Sequence, residues 1–168
     1  MRNKSPIKIV LFTKPYEDQV IDLIVGIQHG EYGVQITAED QPDLKNIADF
    51  YQNKKGNFWI ALNGNEVIGT ISLVDIGSNQ AGLRKMFVKK EFRGQPLKIG
   101  QSLMNTVFKW CKIKGIEQIF LGTVPHYYAA HRFYQKNGFK RIEKHYLPCS
   151  FHLMDADKWF YFKDFMTD

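Results

Sequence analysis

Residues 83–122 contain the clearest fold signal in the sequence: they read LRKMFVKKEFRGQPLKIGQSLMNTVFKWCKIKGIEQIFLG, from Leu83 to Gly122. Residues 83–88 predict a strand, and a polar loop follows. Over 99–114 the apolar residues recur every three or four positions, the period of a helix face, and a glycine follows, as it often does at helix ends. Residues 118–122 predict another strand. Strand, helix and strand in this order predict a parallel pair with a right-handed crossover.

The sequence before this stretch predicts further strands and two helices. The predicted elements are a strand at 7–12, helices at 16–29 and 41–53, and hairpin strands at 58–62 and 67–74. The hairpin is predicted because Asn63-Gly64-Asn65 accepts the positive φ angles of a tight turn.

The sequence after it predicts a short helix and a second set of strands. The helix is predicted at 126–137, and aromatic-rich strands at 139–146 and 159–165 enclose an irregular loop. The predicted fold class is α/β (α+β), a mixed and mostly antiparallel sheet with the parallel β-α-β unit at its centre and flanking helices. At 168 residues, the chain 1–168 is expected to form a single domain.

The charge and cysteine content of the chain indicate which partners it can bind. Lys and Arg exceed Asp and Glu by 23 to 17, which suits an anionic partner such as a polyphosphate cofactor, a nucleic acid or an acidic lipid surface. No nucleic-acid motif and no membrane-spanning run is present, so we expect neither of those two partners. The two cysteines, Cys111 and Cys149, form no metal-ligand or disulfide pattern, so we expect no metal and a cytoplasmic location.

Two motifs suggest a ligand. Residues 93–100, RGQPLKIG, place glycines at the predicted start of a helix, where backbone N–H groups bind phosphate oxygens, and Arg93 and Lys98 add positive charge. Alternatively, the glycines serve only the strand-to-helix connection. Residues 129–139, AAHRFYQKNGF, place two small residues one helical turn before Tyr134.

Together these motifs resemble the GNAT superfamily of acyl-CoA-dependent N-acetyltransferases, over roughly residues 7–165. The matching residues are Met86-Phe87-Val88, Phe92-Arg93-Gly94 and Ile99-Gly100 in the pyrophosphate segment, and Ala130-x3-Tyr134-x3-Gly138-Phe139 in the tyrosine helix. The loop departs from the family pattern, because the interval from arginine to the final glycine is seven residues rather than five, and Lys98 stands where a glycine is usual.

The resemblance implies acetyl-CoA as co-substrate and assigns roles to residues. The backbone of 86–88 would pair with the pantetheine arm, the amides of 93–101 would hold the pyrophosphate, and Tyr134 would face the thioester sulfur. The implied cofactor-binding residues are Met86, Phe87, Val88, Arg93, Gly94, Gln95, Lys98, Ile99, Gly100, Gln101, Ala130 and Tyr134.

The implied reaction transfers an acetyl group to a primary amine of a small molecule or peptide by direct attack. At neutral pH an alkylammonium must first lose a proton, at a cost of about 4.6 kcal/mol. A backbone N–H near Val88 could stabilise the oxyanion, and Tyr134 is the candidate general acid for the CoA thiolate. His126 is the candidate base, with Glu31, Asp75 or a chain of waters as alternatives.

The acceptor pocket is expected to lie between the 28–42 connection and the 147–158 loop. Acidic residues there either attract a cationic amine or are solvated: Glu31, Glu39, Asp40, Asp43, Asp155 and Asp157. The alternative function is a non-catalytic CoA-binding or protein-interaction domain with the same fold. The sequence is also compatible with a homodimer formed through the aromatic final strands.

Overall fold

The computed structural model describes residues 5–167, which contain a seven-stranded sheet flanked by helices. The strands are β1 (Ile7–Leu11), β2 (Asn57–Asn63), β3 (Glu66–Gly77), β4 (Gln80–Val88), β5 (Gln118–Thr123), β6 (Lys140–Ile142) and β7 (Trp159–Asp164). The α-helices are α1 (Glu17–Gly30), α2 (Ile47–Tyr51), α3 (Ile99–Lys114) and α4 (Tyr128–Lys136), and 3-10 turns lie at Lys14–Tyr16, Pro42–Lys45, Lys90–Phe92 and Lys144–Tyr146.

The strand order is β1-β2-β3-β4-β5-β7-β6, and the β4–β5 pair is parallel whereas the other pairs are antiparallel. This confirms the predicted fold class. The parallel pair is short: Gln80–Gly82 pair with Gln118–Phe120, and beyond those residues no pairing joins the two strands. The sheet therefore opens between the carboxyl halves of β4 and β5.

A bulge interrupts β4 beside this opening. The register with β3 shifts between the pairs Thr70–Phe87 and Ser72–Arg84, and Lys85 adopts a left-handed backbone with φ of 55°. Two buried hydroxyls hold the bulge, because Thr70 Oγ1 donates to the Lys85 carbonyl at 2.6 Å and Ser72 Oγ donates to the Arg84 carbonyl at 2.7 Å. Bulges of this kind redirect side chains near functional sites.

The core lies on both faces of the sheet. Alternate residues of β2 point to opposite faces, so Trp59 joins the cluster around Leu103 of α3, whereas Ile60 joins the cluster around Ile24 of α1. Within residues 5–167, no helix has the length and apolar character needed to cross a membrane.

Most predicted elements agree with the structure to within three residues at either end, and α3 agrees at both ends. Two predictions were wrong in extent. The helix predicted at 41–53 is a 3-10 turn followed by the five-residue α2, because Asn46 leaves the helical region with φ of −147°. The strand predicted at 139–146 is limited to β6, an edge strand whose first two residues are exposed, and a 3-10 turn follows.

Candidate active site

A cavity of about 550 Å³ lies between the carboxyl end of β4, the start of α3 and one side of α4. All twelve residues that the resemblance implies for the cofactor line this cavity: Met86, Phe87, Val88, Arg93, Gly94, Gln95, Lys98, Ile99, Gly100, Gln101, Ala130 and Tyr134. The structure therefore brings together residues that are up to 48 positions apart in the sequence.

The loop before α3 reaches the helix through two left-handed residues. Gly94 has φ of 75° and Lys98 has φ of 50°, and the Lys98 N–H donates to the Gly94 carbonyl at 3.0 Å. A left-handed backbone costs a non-glycine residue roughly 1–2 kcal/mol, which explains why a glycine is usual at the position of Lys98. Ile99, Gly100 and Gln101 form the first turn of α3, where N–H groups lack helical partners and the helix dipole is positive.

Arg93 links this loop to the end of α1. Its terminal nitrogen atoms donate to the two Glu31 carboxylate oxygens at 2.5 and 2.7 Å, and its Nε donates to the Val88 carbonyl at 2.7 Å. The hydrogen bond from Arg93 lowers the pKa of the Glu31 carboxyl. Glu31 is therefore poorly suited to accept a proton from an amine.

A second cavity, of about 180 Å³, is lined by residues of β4, β5 and α4 together with two loops. Both connections that were predicted to border the acceptor pocket line it, through Gln28, Tyr32, Val34 and Ile36 in one, and Phe151, His152, Met154, Ala156 and Asp157 in the other. It shares five lining residues with the larger cavity: Tyr32, Met86, Phe87, Ala130 and Tyr134. The two cavities therefore meet along a common wall.

Tyr134 lies in this common wall and is buried, with 8% of its surface exposed. Its ring packs against the rings of Phe139 and Tyr161, with centroids 5.8 and 5.9 Å away. Burial raises the pKa of the Tyr134 phenol above its usual value. The phenol therefore keeps its proton at neutral pH.

Two of the candidate bases lie elsewhere. The His126 ring packs against Tyr127, with ring centroids 4.7 Å apart, and lines neither of these two cavities. The Asp75 carboxylate accepts hydrogen bonds from the backbone N–H groups of Lys55 at 3.0 Å and Gly77 at 2.8 Å, so it stabilises the β3–β4 turn.

Some residues of the smaller cavity were not foreseen from the sequence. Tyr32 stacks on Tyr127 with ring centroids 3.7 Å apart, and nothing in the sequence distinguishes it from other loop aromatics. Lys85 is buried, and its Nζ donates to Gln41 Oε1 at 2.6 Å, while burial lowers the pKa of its ammonium to about 8. The sequence offered no clear signal for Lys85, because Arg84 stands directly before it in the same strand.

Asp157 is the acidic residue in the wall of the smaller cavity. Burial raises the pKa of its carboxyl to about 6, although the nearby cations Arg84 and Lys85 act in the opposite direction. Among residues 5–167, no group of His, Cys, Asp and Glu side chains is arranged to hold a metal ion.

Comparison with known sequences identifies the family to which this fold with two joined cavities belongs. A sequence model of the "Acetyltransferase (GNAT) family" matches residues 22–139. The chain therefore belongs to the GNAT family of acetyltransferases.

Known structures and sequences agree with this family. A GNAT-family acetyltransferase from Staphylococcus aureus is 39% identical, with a TM-score of 0.91 over 95% of this chain and 99% of that one. The "Probable N-acetyltransferase family 8 member 5" of Mus musculus is 29% identical over 131 residues, 75% of this chain and 56% of the mouse protein. The chain thus spans about half the length of the curated relatives it matches.

A third comparison concerns the fold alone. The PaiA N-acetyltransferase from Thermoplasma acidophilum, solved in complex with coenzyme A, is 21% identical, with a TM-score of 0.73 over 95% of this chain and 99% of that one.

Proposed function

We propose that this chain transfers an acetyl group from acetyl-CoA, bound in the larger cavity, to a primary amine of a small molecule or peptide in the smaller cavity. The observation that carries this proposal is the common wall of the two cavities, which contains Tyr134. Reacting groups that enter from two sides would meet there, and holding them in contact removes much of the entropic barrier to reaction.

Different parts of the larger cavity suit the pyrophosphate and the pantetheine arm of coenzyme A. The first turn of α3, with Arg93 and Lys98 beside it, offers N–H groups and positive charge for the pyrophosphate. The carboxyl half of β4 is not paired with β5, so its backbone is available to the amide groups of the pantetheine arm. Family membership and the coenzyme A complex of the Thermoplasma protein support the same cofactor.

The proposed reaction proceeds by direct attack. The neutral amine forms a C–N bond to the acetyl carbonyl carbon, and the C–S bond breaks. The thiolate takes a proton from the Tyr134 hydroxyl, and the attacking nitrogen gives a proton back to the Tyr134 oxygen. A backbone N–H near Val88 would stabilise the oxyanion on the way. Tyr134 suits the role of acid because its raised pKa keeps the phenol protonated until a thiolate forms beside it.

A thiol-release assay with acetyl-CoA and a panel of primary amines tests this proposal. We expect Tyr134→Phe to lower kcat by about 100-fold or more, because the thiolate then leaves without its acid. The dissociation constant of acetyl-CoA should change little, since the phenyl ring keeps the packing. Tyr128→Phe is the matched control, because Tyr128 is an exposed tyrosine of the same helix. Equal activity of the two variants would contradict the role of Tyr134.

We also propose a cytoplasmic location. Its support is chemical: Cys149 is an exposed free thiol and Cys111 a buried one. An exposed unpaired thiol is typical of proteins in a reducing compartment.

A further inference from the structure

Two carboxylates lie near the smaller cavity in different surroundings. Asp43 has several partners: Tyr51 OH donates to its Oδ2 at 2.5 Å, and the same oxygen lies 3.6 Å from Lys85 Nζ and 3.9 Å from Arg84. The Asp157 carboxylate lacks such side-chain hydrogen bonds among residues 5–167, and it is stabilised by the Met154 backbone and by the charges of Arg84, Lys85 and Lys158. Asp157 is partly buried and lines the smaller cavity, so a cation that enters this cavity can contact its carboxylate.

The backbone fixes Asp157 over the opening in the sheet. Its N–H donates to the Met154 carbonyl at 3.0 Å, and the next N–H, of Lys158, donates to the Thr123 carbonyl of β5 at 3.1 Å. A Cβ atom at Gly122 would lie 2.5 Å from Asp157 Oδ2 and 2.9 Å from Asp157 Cβ, so only glycine at 122 leaves room for this side chain. Gly122 lies two residues past the last β5 residue paired with β4. The carboxylate thus lies where the two strands have separated.

The charges around Asp157 keep it usable as a base. Burial raises the pKa of its carboxyl to about 6, although Arg84 and Lys85 from β4, Lys158 from its own loop and a hydrogen bond with the Met154 backbone act to lower it. On the other side, Tyr134 of α4 is close enough for the Asp157 charge to raise the pKa of the phenol. The remaining titratable groups in the cavity wall are Tyr32, Tyr127 and His152. At neutral pH the carboxylate is therefore mostly ionised, with a pKa near that of an effective general base.

We propose that Asp157 binds the ammonium group of the acceptor and accepts its proton. This inference rests on the proposed function and assigns the base that the sequence left open among His126, Glu31, Asp75 and water. The ammonium gives one proton to Asp157, and the neutral nitrogen attacks the thioester carbonyl. Tyr134 gives its proton to the thiolate and regains one from the attacking nitrogen. The proton on Asp157 leaves to water, so an alkylammonium and acetyl-CoA yield an N-alkylacetamide, CoA thiol and one proton.

The test compares Asp157→Asn with Asp155→Asn, its matched control, since Asp155 lies on the same loop, is exposed and lines neither of the two cavities. The assay measures thiol release from acetyl-CoA with ethanolamine, putrescine, glycinamide and L-lysine. We expect Asp157→Asn to lower kcat/KM for the accepted amine by about 100-fold or more. It should also abolish the fall in activity below about pH 6 that we expect for the wild type from the raised pKa of Asp157.

Hydroxylamine separates proton transfer from a structural role, because it is largely neutral at pH 7.5 and needs no base. We expect Asp157→Asn to retain most of the wild-type rate with hydroxylamine. Equal losses with hydroxylamine and alkylamines would overturn the proposal, as would an unchanged pH profile. A wild type that binds acetyl-CoA but accepts none of the four alkylamines would also contradict it.

Failure of this inference is distinguishable from failure of the proposed function. If wild type, Asp157→Asn and Asp155→Asn bind acetyl-CoA equally and transfer acetyl groups equally, the transferase stands and Asp157 is not its base. If the wild type binds no acetyl-CoA, the proposed function itself is wrong, and the assignment of Asp157 is wrong with it.

Discussion

Arg93 connects the loop before α3 to the end of α1 through its ion pair with Glu31. About a third of each side chain is exposed, at 37% and 30%, so the pair contributes at most about 1 kcal/mol. A pyrophosphate offers more negative oxygens than one carboxylate, and in the proposed site it would also lie at the positive end of α3. We therefore expect the bound cofactor to displace Glu31 from Arg93. Because Tyr32 follows Glu31 and lines both cavities, cofactor binding would also change the wall of the smaller cavity.

This competition predicts opposite effects of two substitutions on acetyl-CoA binding. Arg93→Ala should weaken binding by about 10- to 100-fold, the loss of a charge-assisted hydrogen bond. Glu31→Gln should leave binding unchanged or strengthen it, because it removes the competitor of the phosphate. Isothermal titration calorimetry measures both, with Arg132→Ala as control, since Arg132 is exposed on α4 and lines neither of the two cavities. Equal weakening by Arg93→Ala and Glu31→Gln would show that acetyl-CoA binding depends on the ion pair and not on a contact between Arg93 and the phosphates.

Among the structural elements, the bulge of β4 depends on two buried hydroxyls. Thr70→Val keeps the shape of the side chain but leaves the Lys85 carbonyl without its donor. We expect the free energy of unfolding to fall by about 1–3 kcal/mol, the cost of an unsatisfied buried group. Thr106→Val is the control, because that hydroxyl bonds the Ser102 carbonyl on the outside of α3 and should matter little. Urea unfolding followed by circular dichroism compares the variants, and equal stabilities would contradict the role given to Thr70.

The same elements show what could be predicted from the sequence. Helix α3 was predicted at both ends because it combines a sustained apolar period with Gly115, whose φ of 71° ends the helix. The residues that line the larger cavity could be picked out as a group because the family motif carries them in one continuous stretch and one short helix. The prediction of one helix over 41–53 was wrong. Gln41 and Asp43 are buried in polar contacts with Lys85, and the spacing of apolar residues does not reveal such contacts. The surroundings of Asp157 could not be predicted, because Gly122 and β4 come close to this residue only in the folded chain.

In the whole molecule, the proposed function depends on the opening between β4 and β5. The larger cavity is lined by α3 and α4, the smaller by the connection after α1 and the loop before β7, and β4 contributes to both. In the proposed function, cofactor and acceptor would occupy the two cavities and meet at Tyr134. The net charge of +6 favours approach of the anionic cofactor.

Calorimetric titration of acetyl-CoA into the wild-type chain tests whether the larger cavity binds the cofactor. We expect one binding site with a dissociation constant on the order of micromolar, about −8 kcal/mol. The affinity should fall as salt rises, because the contacts with the phosphates are electrostatic. CoA should compete for the same site. No heat of binding at millimolar acetyl-CoA, or binding that Arg93→Ala leaves unchanged, would contradict the assignment of the larger cavity to the cofactor.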